Sequence, residues 1–102
     1  MATDIQTASV AQGAAGQTAV VAAAGAGKVI EVLGYDLTLD AAGTLKFQSA
    51  NTDKSGAVPL ADKGRLALAA GFPLLRTAAN EALNITTATG KAFGYVIYRV
   101  VG

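Results

Sequence analysis

Cysteine, histidine and tryptophan are all absent from this chain of 102 residues. Without Cys or His there is no thiol nucleophile, no imidazole acid/base pair, no disulfide and no common structural zinc site. Most hydrolase chemistry is thereby excluded; only Asp, Glu, Lys and Tyr remain for catalysis, and neither an enzyme nor a cofactor is expected. Charge is also sparse. Eight Lys and Arg against seven Asp and Glu leave a net charge of +1, too weak a field to draw in nucleic acid or anionic lipid. The longest small apolar run, residues 19–27, is well short of the ~20 residues needed to span a bilayer. No Lys or Arg precedes Lys28, so the positive start of a signal peptide is missing. A soluble protein made in the cytoplasm is expected, with no nucleic-acid, membrane or small-molecule partner.

What is abundant is alanine. The hydrophobic share is 52%, but 23 of those residues are Ala, against nine Val, ten Leu, four Ile, three Phe, three Tyr and one Met. Ala buries little area, and a chain this short hides only about 65% of its unfolded surface. Assembly with other copies is a natural remedy for so small a core.

Composition changes near Lys28. Residues 1–27 are rich in Ala, Gly, Thr and Gln, with scattered Ile5, Val10, Val20 and Val21. They read as an N-terminal arm, with 28–102 as the body, although Thr18 to Ala23 could supply a strand of the domain itself. KVIEVLGYDLTLD (28–40) alternates with Val29, Leu33, Tyr35, Leu37 and Leu39 on one face, and Gly34 permits a bulge. TLKFQS (44–49) turns Leu45 and Phe47 inward and completes a hairpin. NTDKSG (51–56) has turn chemistry and reads as an exposed tip. Pro59 suits an edge strand over 57–61, Arg65 to Ala70 a further strand, and Gly71-Phe72-Pro73 a corner. EALNITT (81–87) places Leu83 and Ile85 on one face. KAFGYVIYRVV (91–101) carries apolar residues on both faces, as in a strand covered on two sides. Short strands with turns every 8–12 residues and no helical periodicity predict an all-β protein, an antiparallel β-sandwich or jelly roll with an extended N-terminal arm.

Motifs with chemical meaning are weak. Gly25-Ala26-Gly27-Lys28 fails the phosphate-loop pattern, since Ala22 and Val29 stand where Gly and Ser or Thr are required. Asp36 and Asp40 sit about 13 Å apart along a strand, too far to share a proton or a metal ion. Asn51, Asp53 and Ser55 do not complete a calcium loop. The sequon Asn84-Ile85-Thr86 falls inside a predicted strand. Tyr35, Tyr95 and Tyr98 could stack on sugars, but core and interface packing suits them better.

The stretches VIEVLG (29–34), GTLKFQS (43–49), EALNI (81–85) and GYVIYRVV (94–101) resemble the strand and turn rhythm of trimeric β-sandwich head decoration or cement proteins of tailed bacteriophages. The resemblance covers residues 28–101 and includes no diagnostic motif. It implies a homotrimer on the capsid exterior of a virion, clamping neighbouring copies of the major capsid protein. The same sandwich in tail and receptor-binding proteins leaves a carbohydrate-binding module as the alternative. On the decoration reading Ile5, Val10, Val20 and Val21 are candidate partner contacts of the arm, and Tyr95, Tyr98 and Val100 candidate trimer contacts.

Overall fold

A computed structural model describes residues 5–70 and 72–102. Two antiparallel sheets pack face to face. Sheet A orders β1 (Gln6–Ala11), β10 (Ala92–Val101), β3 (Val29–Leu39) and β7 (Arg65–Ala69), with β8 (Leu75–Arg76) continuing the edge beside β3. Sheet B orders β2 (Gly16–Val21), β9 (Leu83–Thr87), β4 (Gly43–Ser49) and β5 (Thr52–Asp53), with β6 (Val58–Leu60) also on β4. When β5 with β6, and β7 with β8, are each counted as one interrupted strand, eight strands remain. The chain then crosses between sheets at every connection except β4 to β5. This is jelly-roll order, and among the described residues there is no helix.

The expected arm is instead part of the sandwich. β1 pairs with β10 over six residues and β2 pairs with β9, so the predicted boundary at residue 27 does not divide arm from body. Few large side chains are needed for this: Ala8 and Val10 alternate toward the interior along β1, and Val20 and Val21, where β2 shifts register against β9, both pack against the core. Residues 1–4 and Gly71, the first residue of the predicted corner, lie outside the described residues.

The core lies between the sheets. Ile30, Val32, Leu37, Leu39, Leu45, Leu83, Ile85, Ala92 and Val96 are fully buried, and Val10 and Phe47 nearly so. Tyr35 meets Phe47 across the two layers at 5.0 Å between ring centroids. β3 corrects the expected face. Ile97 pairs with Gly34 but Tyr98 pairs with Val32, so Leu33 is an extra residue in the strand. This bulge reverses the alternation: Ile30 and Val32 point inward before it, and Tyr35, Leu37 and Leu39 after it. Leu33 is buried but stands outside the core cluster. A Cβ on Gly34 would approach Leu68 O to 3.0 Å, so glycine lets β7 lie close at the bend. Pro59 sits on an edge, as expected.

Gln12 ties the corner where the chain leaves sheet A for sheet B. Its amide donates to Gly16 O and Thr18 Oγ1, both at 3.0 Å, and its Oε1 accepts from Ala92 N at 2.8 Å and Thr87 Oγ1 at 3.1 Å. One buried side chain thus joins β2, β9 and β10.

Candidate interaction surface

The two outer faces of the sandwich differ. On sheet B, Gln17, Gln48, Thr86, Asp53 and Lys46 bond to one another. Gln17 donates to Gln48 Oε1 at 2.9 Å, Gln48 donates to Asp53 Oδ1 at 2.9 Å, and Lys46 lies 3.1 Å from Asp53. The Gln48 amide first, then Lys46, holds the Asp53 carboxyl below its ordinary range. That face presents polar groups already engaged with neighbours.

Sheet A presents aromatic rings. Period-two alternation along β10 turns Ala92, Val96, Tyr98 and Val100 inward and Phe93, Tyr95, Ile97 and Arg99 outward. Phe93 and Tyr95 are 40% and 41% exposed. Beside them a concavity of about 280 Å³ is lined by Tyr95, Ile97, Asp36, Arg65, Ala67 and Ala69, with Tyr35 and Leu68 also contributing. Small residues at 34, 67 and 69 give it depth. At one end Arg65 grips Asp36 through two hydrogen bonds of 2.8 and 2.6 Å, and these hold the Asp36 carboxyl below its usual range.

Further along the same face Glu31 is almost fully buried between Arg99 and Arg76, its register partners on β10 and β8. Arg99 Nε donates to Oε1 at 2.7 Å, and Arg76 Nη2 donates to Oε2. Burial, the largest influence, pushes this carboxyl up, but the two arginines together outweigh it and hold it below the ordinary value.

The expected contact residues do not gather on one surface. Of the four assigned to the arm, Ile5 alone is well exposed; Val10 is buried, and Val20 and Val21 pack half-buried against the core. Tyr95 faces outward, but Tyr98 packs on the core side with its hydroxyl 3.1 Å from Gln6 Oε1, and Val100 is half-buried on that side. The period of two forbids 95 from sharing a face with 98 and 100. The core covers one side of β10, and on its other side Phe93 and Tyr95 are exposed in the single chain. Phe93, Asp36 and Arg65 were missed as surface-forming residues. Strict alternation from Tyr95 identifies Phe93, whereas the Asp36 to Arg65 fork depends on β3 lying beside β7.

The remaining motifs are structural here. Ser55 Oγ accepts from Phe47 N at 2.9 Å, Asp53 is engaged by Gln48 and Lys46, and Asn51 Oδ1 accepts from Gln17, so these three do not converge on one point. Asn84 is buried and donates to Ala50 O at 2.9 Å. Comparison with protein-family models, with curated proteins and with solved structures gives no match.

Proposed function

We propose that this chain is a structural assembly protein that decorates a phage capsid, binding the exterior as a homotrimer and clamping neighbouring copies of the major capsid protein. The observation that carries this reading is the one-sided outer surface: Phe93 and Tyr95 exposed on sheet A, against a self-engaged polar layer on sheet B. Exposed aromatic residues grouped on a rigid sheet favour a protein partner, because they supply large contact area at little entropic cost. A small oligomer touching several capsid subunits multiplies modest single contacts through effective concentration. No catalytic step enters this reading.

The groove favours a second reading, a receptor-binding module that stacks a sugar ring on Tyr95 beside the Arg65 and Asp36 fork. Co-sedimentation with expanded capsids, run alongside a glycan array, decides between them. We expect the wild type to pellet with capsids and the F93S/Y95S double variant to fold yet lose at least tenfold in affinity, a loss of ~1.4 kcal/mol or more. Glycan binding without capsid binding would overturn the decoration reading.

A further inference from the structure

The edge of sheet A at β1 is built unlike the edges on the opposite side. There the strands are short, β5 with two residues and β6 with three, Pro59 interrupts β6, and Lys54, Lys63, Arg65 and Arg76 add charge. Short strands, proline and charge are devices that keep sheets from pairing with other chains. β1 has none of them. Gln6–Ala11 runs six residues along β10 without a register shift and contains neither charge nor proline. Behind it in sheet B, β2 is uncharged as well.

The direction of the unused backbone groups follows from one bond. Gln12 N donates to Ala92 O at 3.1 Å. Backbone groups alternate sides along a strand, so Gln6, Ala8 and Val10 also direct theirs at β10, and Thr7, Ser9 and Ala11 direct theirs away from the sheet. All three of these residues are exposed. Three N–H donors and three carbonyl acceptors therefore line an uncharged edge whose outward side chains are small.

We propose that this edge pairs with β1 of a second copy of the chain, antiparallel, about a two-fold axis at Ser9. Thr7 then faces Ala11 of the other copy, Ser9 faces Ser9, and each of these three pairs exchanges two N–H to C=O bonds. The second copy is the occupant because the edge matches itself. Donors and acceptors recur at two-residue spacing in equal number, no charge opposes its own image across the axis, and small side chains let the backbones approach. A two-fold contact demands that self-complementarity. The same axis brings the two uncharged β2 edges alongside each other. Such a contact cannot close a trimer, so in a trimeric protein it links one trimer to the next.

Sedimentation equilibrium tests the pairing in the full chain. We expect a mass of two or six chains that halves in Ser9→Pro, which removes an outward N–H that β10 does not use, and in Ser9→Lys, which sets like charges across the axis. Exchange of the Thr7, Ser9 and Ala11 amides should be slow in the pair and become fast on dilution. Should Ser9→Pro fail to fold, Ser9→Lys, which leaves the backbone chemistry alone, decides. A mass of one or three chains at ~100 μM, or a mass that the folded variants leave unchanged, overturns the pairing. A trimer that pellets with capsids would refute this contact and leave the decoration reading standing, whereas a two-fold pair that ignores capsids would do the reverse.

Discussion

At the scale of single residues, Gln12 and Glu31 show how polar groups are made to serve a small apolar interior. Gln12 is 3% exposed and satisfies backbone and side-chain groups on three strands. Gln12→Leu keeps most of the volume but leaves the Ala92 N–H, Thr18 and Gly16 O without it, and we expect a loss of about 2–4 kcal/mol in urea unfolding. Nothing in the sequence marks this residue, because its partners lie as many as 80 positions away. In the sequence Glu31 stands only as a charge between apolar neighbours; the two arginines that explain its burial come from β8 and β10. Its carboxyl is held below the ordinary value near 4.5 in the folded chain, so its stabilisation is present above that value and is lost as pH falls through the lower folded value. Glu31→Gln should cost about 1–2 kcal/mol at neutral pH, discounted because both arginines reach solvent. Urea midpoints measured at stepwise lower pH should show that difference shrinking toward zero.

At the scale of elements, β3 is the most informative strand. Its sequence alternates with two conflicting phases, Ile30 and Val32 in one and Tyr35, Leu37 and Leu39 in the other, and a bulge reconciles them. Gly34 marked a bulge in the sequence, but a single face joining Val29 and Leu33 to Tyr35, Leu37 and Leu39 was expected, and which residue is extra depends on pairing with β10. Deleting Leu33 removes the extra residue and brings Ile30, Val32, Tyr35, Leu37 and Leu39 into one phase of a regular strand opposite β10. The variant should therefore still give a β-sheet spectrum by circular dichroism, and loss of the buried Leu33 side chain should cost about 1.5–3 kcal/mol in urea unfolding. β4 and β9 were legible because each pairs a clean alternation with fully buried Leu45, Leu83 and Ile85. β1 and β2 were not, since Ala, Thr and Gln carry weak strand signals, and only the ladders to β10 and β9 define them. Val10, which a linear reading offers to a partner, is held in the interior by that pairing.

For the whole molecule, composition led to the right class, because a chain without helical periodicity and with frequent turns has few ways to bury a modest apolar set other than two stacked sheets. It could not reveal the difference between the outer faces, which emerges only when strands distant in sequence lie side by side. The first and last strands of the chain are such neighbours, with Gln6 opposite Tyr98. The start of β1 and the end of β10 therefore leave the sandwich at the same pole. Tension applied between those two ends would act across the strands and open their hydrogen bonds one after another, as a zip opens, instead of shearing all of them together. A load received on the broad face of sheet A would meet the whole stack of strands at once, so the mechanical strength of this small protein depends on where it is held.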